Sequence, residues 1–507
     1  MRKCFLLAFI VWGFFLNAQD SNPLRIEFSS LGRDGEYRVL LADQQGMIVV
    51  RNDGNSGDDQ NLWRLFGYSV DMEQQWESRL ELDEDLELRK MYYYQGLGNL
   101  LFEHSSSRES KMEDVSIDMA DGSVSTTTFQ MEGRHMVRDY IAIGEHSFIL
   151  ALKGKGLKSF FRNIFSSQKA KSRLKLLRID RNTKSTRLLS DTIPGGMRPL
   201  RLNFYEHGNT VDVYMANAVS DTRDDLWMYA FSYNGSLKKK HHLKSVPGKT
   251  VVDLAVRSQG KTRYMTFSMS GLSQRYDRYE DYTDGIYFCI ISNDKLVDSR
   301  FHKLSGFTSF FKEADTEMIR YFPKQKEVQG TVGYPMQIHS DLKGTEGEMI
   351  LLAEAYYPDF YTQVYYDAYG MAHTRRIFRG YKYTHALAIA FDRKGEISWH
   401  EAMELKGKYT QNRKKSVDVI SDGRDAGMVY NLENELSYQL ISGGKAQGEP
   451  AVVSLPFKNR NDRLKSSKNG RIHYWYGNYL LATGYQEINN PAEGNRKLFY
   501  IHKIAFQ

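Results

Sequence analysis

Aromatic and charged side chains suited to recognition crowd most densely between residues 356 and 383. Eight tyrosines and two phenylalanines fall in those 28 positions: Tyr356, Tyr357, Phe360, Tyr361, Tyr365, Tyr366, Tyr369, Phe378, Tyr381 and Tyr383. Arg375, Arg376 and Arg379 stand among them, with Asp359, Asp367 and His373. A tyrosine joins a broad apolar ring to a hydroxyl, so such a segment can stack on a sugar or peptide while hydrogen-bonding it. The alternative is that the rings pack on one another and on neighbouring elements, keeping a long connection ordered. The contact reading assigns Tyr356, Tyr357, Tyr361, Tyr365, Tyr366, Tyr369, Arg375, Arg376 and Tyr381 to a ligand or partner surface.

Linear catalytic motifs do not accompany this segment. Hydrolysis needs a nucleophile with an oriented base, or two carboxylates at a set separation. There is no Gly-x-Ser-x-Gly elbow, and the aspartates and glutamates fall mostly in turns, where carboxylates serve the backbone. His400 and Glu401 are neighbours on an expected strand and point to opposite faces, as do His241 and His242. The loop RNDGNSGDDQN offers Asp53, Asn55, Asp58 and Asp59 to calcium, but Asp58 occupies the position that needs glycine and no glutamate closes the site. No glycine-rich phosphate loop or dinucleotide fingerprint occurs. The motifs therefore assign no catalytic residue, no metal ligand and no cofactor. Cys289, inside the apolar run IYFCII, reads as a small buried hydrophobe.

The first residues have the build of a secretory signal. Arg2 and Lys3 precede an apolar stretch from Cys4 to Leu16, and Asn17, Ala18 and Gln19 supply a small-residue cleavage site. Cleavage is expected after Ala18. The apolar stretch is short of the ~20 residues that span a bilayer, so the expectation is an exported protein, periplasmic, at the outer surface or secreted. Loss of residues 1–18 leaves 489 residues at a net charge of +5, with Cys289 the one remaining thiol. A single thiol makes no internal disulfide, and so dilute a charge argues against nucleic acid as partner.

The elements that must position these side chains repeat. An alternating apolar run, a turn and a second alternating run recur as LFGYSVDMEQQWESRLEL from Leu65, VSIDMADGSVSTTTF from Val115 and LLRIDRNTKSTRLL from Leu176. They recur again as MYAFSYNGSLKKKHHL from Met228, YFCIISNDKLVDSRFHKL from Tyr287 and ALAIAFDRKGEISWHEAMEL from Ala386. Period-two alternation across Asp121-Gly122 or Asn234-Gly235 is the signal of a β-hairpin. A strand, usually led by a glycine, precedes each hairpin, and turns from Asp71 to Asp118 and from Asp180 to Asn234 lie 47 and 54 residues apart. That is the spacing of four-stranded propeller blades.

The chain thus resembles a β-propeller over nearly its whole mature length, in the manner of exported bacterial propeller-like proteins. The resemblance rests on rhythm, since no Gly-His and Trp-Asp, kelch or Asp-box signature is present. It implies an all-β ring of about eight blades, seven being the alternative count and a pair of β-sandwiches the competing architecture. The early strand from Leu24 is placed to complete the blade made by the strand ending at Phe506, removing two exposed edges. Insertions are expected near 155–171 and 307–383 of a single domain spanning 19–507. Leu157, Phe160, Phe161, Ile164 and Phe165 follow helical spacing among basic residues, suiting a membrane surface, a partner or the side of the ring. Phe307, Phe310, Phe311, Ala314 and Met318 read as a second inserted helix.

Two functions follow from this reading. The first is a non-catalytic exported propeller that binds a protein or glycan through the 356–383 insertion. The second is a propeller hydrolase or lyase acting on a glycan or peptide in the central channel, with residues drawn from several blades and no linear motif. Carboxylates, a histidine or a tyrosine with perturbed environments converging in one channel mouth would favour the second.

Overall fold

The computed structural model describes residues 24–506, apart from 32, 34, 58, 107–108, 154–173, 190–191, 221–222, 272–281, 314–332 and 346. Their strands form eight antiparallel sheets, six of four strands and two of five or six. The chain is an eight-bladed β-propeller. Blades 1 to 7 begin with the inner strands Tyr37–Leu41, Glu87–Tyr94, His135–Ile143, Arg198–Tyr205, Thr250–Gln259, Tyr334–Ile338 and Val417–Ser421, and blade 8 begins with Arg463–Tyr476. Eight clusters of buried apolar side chains hold the ring, one at each interface between neighbouring blades. Between blades 1 and 2, for example, Ile48, Val50 and Leu65 meet Leu88, Leu100 and Phe102.

The repeated turns explain why the hairpins recur. At Asp392 the carboxylate accepts the backbone N–H groups of Lys394 and Glu396, each at 2.8 Å, and Gly395 takes a φ of +77°. Aspartate caps the turn and glycine supplies the left-handed residue, which shifts the register between Ala390 and Phe391. Gly122 and Gly235 occupy the same left-handed conformation in blades 2 and 4.

Ring closure follows the sequence expectation. Arg25–Ser29 pairs antiparallel with Gly494–Ala505, setting Phe28 opposite Phe499, so the outer strand of blade 8 comes from the start of the chain. Arg25 locks the seam, donating to Gln486 Oε1 at 2.7 Å and lying 4.6 Å from the Tyr500 ring centre. Cys289 is buried in the core between blades 4 and 5, as its apolar run predicts.

The long connection in blade 6 is not a loop. Glu348–Tyr366 and Ala372–Asp392 are continuous strands, paired from Glu348↔Asp392 out to Tyr366↔Ala372, so the aromatic insertion is a two-stranded ribbon prolonging the blade. Tyrosine-rich, alternating strands facing each other make the cross-strand pairs that stabilise a hairpin. The turn closes on Asp367, whose carboxylate accepts the N–H of Tyr369 and of Met371 at 2.9 Å. In a four-stranded meander, the start of the inner strand, the second-to-third turn and the end of the outer strand share one side. The ribbon therefore projects from the side on which successive blades are joined.

Of the second expected helix, Thr308–Glu313 is helical, with Phe307 and Phe310 buried between blades 5 and 6 and Phe311 packed against them. Ala314 and Met318 lie outside the described residues, as do the helix expected at 157–165 and the N-terminal segment.

Candidate functional site at the ring axis

After the inner strand of blade 6, residues 339–344 touch four other blades, 4, 5, 7 and 8, and so occupy the ring axis. The Ser340 carbonyl accepts Arg201 Nη1 of blade 4 at 2.6 Å and the Val256 N–H of blade 5 at 3.0 Å. Arg257 of blade 5 donates to the Gly344 carbonyl at 2.8 Å. Towards blade 7, Lys415 Nζ donates to Ser340 Oγ at 2.6 Å and Lys343 Nζ lies 3.8 Å from Asp418. Lys343 also sits 5.3 Å from the Tyr474 ring centre of blade 8.

The electrostatics of this axial cluster are those of opposed charges in a confined space. Asp341 is crowded by neighbouring groups although its side chain reaches solvent; that desolvation would raise it, yet Lys415, Arg201 and Lys343 hold it below the usual carboxylate range. Asp418, likewise resisted by burial, is held low by Lys343 and His339, and accepts the N–H of Tyr474 at 2.7 Å and of Val419 at 2.9 Å. Burial lowers His473 and keeps its ring neutral against the pull of Asp418. Lys415 is lowered by burial, with Asp341 opposing and Arg201 and Lys343 pushing the same way. Tyr92 of blade 2 is raised by burial and then by Asp139 of blade 3 and by Asp341.

Glu354, on the second strand of blade 6, anchors the wall. Its Oε1 accepts the N–H of Ser416 at 2.8 Å and of Val417 at 3.1 Å, and lies 2.7 Å from His339 Nε2. These bonds fix the segment that carries Lys415.

Beside the axis, a cleft of about 430 Å³ opens between blades 6, 7 and 8. Lys408, Lys414, Lys415, Lys468 and Arg471 line it with a single acid, Glu433. Lys408 is buried, and its ammonium donates to the carbonyls of Asn431 at 2.9 Å and Gly470 at 2.7 Å. Burial pulls it down to about 8, with Glu354 resisting and Arg471 adding to the fall. Crowded like charges of this kind make a site that gains by taking up an anion. Tyr409, Thr410, Ser416 and Ser467 also line the cleft, the hydroxyls of the last three donating to the carbonyls of Asn412, Lys414 and Glu433.

The predicted contact residues divide along the ribbon. Tyr356, Tyr357 and Tyr381 are buried at its root with Tyr383, where Arg413 donates to Tyr356 Oη at 2.9 Å and Tyr383 Oη donates to the Lys414 carbonyl at 2.8 Å. Tyr361, Tyr365, Tyr366, Tyr369, Arg375 and Arg376 are exposed on its outer part. The root thus touches the segment leading into the cleft. Of the residues weighed for calcium, Asp53 is held between Arg51 and Arg64, while Asp58 lies outside the described residues. Among the described residues no group of three or more histidine, cysteine, aspartate or glutamate side chains is arranged to hold a metal.

No protein-family model matches the chain, and no curated protein matches it in sequence. Solved structures similar to it include the polysaccharide lyase Uly1, at 9% identity and a TM-score of 0.38 over 82% of this chain and 89% of that one. Another is an apocarotenoid oxygenase of Synechocystis, at 10% identity and a TM-score of 0.34 over 62% of this chain and 61% of that one. At these values neither likeness informs the site, which is read from its own residues.

The cleft cations form no linear motif because Lys408, Lys414 and Lys415 sit in the connection between blades 6 and 7, while Lys468 and Arg471 sit on the inner strand of blade 8. The signal was present as the basic runs LKGK and NRKK between 405 and 415 and SSKNGR between 466 and 471. Only the ring brings these runs together.

Proposed function

We propose that the protein binds an anionic ligand in the cleft beside the ring axis. The observation that carries this reading is the five-to-one balance of Lys408, Lys414, Lys415, Lys468 and Arg471 against Glu433 around one cavity. Positive charge is held there at a cost, which a carboxylate, sulfate or phosphate would relieve. The ring then serves as a rigid scaffold on which a blade connection and an inner strand gather the binding groups. With the N-terminal segment read as a signal, the ligand is met outside the cytoplasm. Calorimetric titration with a galacturonic acid trimer tests the proposal, with the salt dependence of Kd as second readout. Affinity is expected to fall with salt and to be lost in Lys415→Glu and Arg471→Glu. Absence of binding, or binding unaffected by both changes, would overturn it.

A second reading, a lyase or hydrolase acting on the bound anion, is favoured by the axial cluster. The cations around Asp341 are placed to neutralise a developing negative charge, and His473, kept neutral by burial beside Asp418, to hydrogen-bond the reacting group. Incubation of an acidic polysaccharide with the protein, followed by chain-length analysis, tests it. Cleavage lost in His473→Ala, with trimer binding retained, supports the reading; an intact polymer rejects it.

A further inference from the structure

The outer ribbon is exposed in an unusual way. Of fourteen exposed large hydrophobic side chains among the described residues, six lie between Tyr361 and Met371, and a seventh is Tyr409 at the cleft. Tyr369 is 91% exposed and Tyr366 71%. An isolated two-stranded ribbon gains little by displaying such rings to water.

One face of the ribbon alternates rings and guanidinium groups. Tyr361 and Tyr365 are four residues apart on one strand and share a face. Arg379 lies 5.9 Å from the Tyr361 ring centre and Arg375 5.8 Å from that of Tyr365, which in turn stacks on His373 at 5.4 Å. This face runs into the cleft. Tyr409–Thr410 pairs with Tyr381 and Lys382 at the ribbon root, and the Tyr409 hydroxyl would stand 2.6 Å from a Cβ at Gly380. Tyr409 feels Asp359 and Arg379 of the ribbon and itself lines the cleft. Cleft, Tyr409, Arg379, Tyr361 and Tyr365 thus form one continuous track.

We infer that the ligand is a linear acidic polysaccharide, whose charged end or inner unit fills the cleft while the following units stack along Tyr409, Tyr361 and Tyr365. This rests on the anion-binding reading of the cleft. A sugar ring offers the flat C–H face that tyrosine stacks on, and its occasional carboxylates or sulfates match arginines interleaved with rings. Nucleic acid fits less well. A single strand carries a charge about every 3.4 Å, whereas residues 359–379 hold three arginines against two aspartates. An extended peptide would pair with the ribbon's edges, but the tyrosines stand on its face.

The test is a length series. Kd is measured by titration for a galacturonic acid trimer and decamer, with oligothymidine and poly-glutamate of similar length alongside. Native protein is expected to bind the decamer about tenfold or more tightly than the trimer, through contacts outside the cleft. That ratio should collapse towards one when residues 360–378 are replaced by a Gly-Ser turn, and in Tyr361→Ala with Tyr365→Ala, which keeps the ribbon should the deletion disturb the blade. A native ratio near one, or a ratio unchanged in the double variant, overturns the track and leaves the cleft reading intact. Failure of the native protein to bind either saccharide overturns the cleft reading itself. Tighter binding of oligothymidine or poly-glutamate than of the decamer overturns the choice of polysaccharide.

Discussion

Replacing Glu354 with alanine should be among the most damaging single changes near the axis, and its cost can be worked from three contacts. Glu354 is 1% exposed, and its Oε1 takes the N–H groups of Ser416 and Val417 and faces His339 Nε2. Each buried donor left without an acceptor costs roughly 1–3 kcal/mol, so the three together cost about 3–9 kcal/mol. That is a large part of the ~5–15 kcal/mol that holds a typical domain. Glu354→Gln keeps a carbonyl oxygen for the backbone groups and loses the charge assistance, for about 1–3 kcal/mol. Urea unfolding at pH 7, read by tryptophan fluorescence, gives both values from the shift in midpoint. The trimer titration on folded protein should also show weakened binding in Glu354→Ala, because the released segment carries Lys415. A loss below about 1 kcal/mol in the alanine variant, or equal losses in both, would refute the hydrogen-bond accounting.

Four further outcomes are expected. His502 is pulled down to about 4 by burial, with Arg25 adding to the fall. Its folded value lies below its unfolded one, so stability is fully present above about pH 6.5 and falls as pH drops towards 4; His502→Gln should flatten that part of a Tm-against-pH curve. Lys408, near 8 when folded, should make stability rise as pH climbs from about 8 to 10.5 while anion affinity falls, and Lys408→Met should abolish both trends in paired melts and titrations. Deleting residues 24–30 bares the strand Gly494–Ala505 as an open edge, and size-exclusion chromatography should show concentration-dependent association. Gly380 has a φ of +151°, and a Cβ there would meet the Thr410 carbonyl at 2.6 Å. Gly380→Ala should therefore cost about 1–3 kcal/mol and loosen Tyr409 from the ribbon, measured as a lower Tm and a reduced decamer-to-trimer ratio.

The blades were legible because their signals are local. Asp392 and Gly395 build their turn from contacts within five residues, and alternation on either side tells each strand which face is buried. Ring closure was legible because an unpaired apolar strand at each end of a repeat array has one economical partner. The aromatic segment was visible by composition, but its form was not. Tyr356 and Tyr361 look alike in sequence, and only their distance from the blade decides that one is buried and the other bare. The axial cluster was invisible for a different reason. Arg201, Asp341, Lys415 and His473 come from four blades and meet only because the ring closes.

The shared eighth blade also bears on how the molecule reaches its native state. Its strands come from both ends of the chain, with Phe28 opposite Phe499, while every other blade grows mainly from neighbouring hairpins. Hairpins close within about 1–10 μs, whereas this seam waits for almost the whole polypeptide to be present. The entropy of closing so long a loop is modest, growing by only about 0.6 kcal/mol per doubling of length. The delay is instead one of order: the first strand stays without its partner until the last arrives. Completion of the ring is then a late, single commitment, and loss of Arg25–Ser29 or of Gly494–Ala505 leaves a molecule that folds most of its blades and cannot finish.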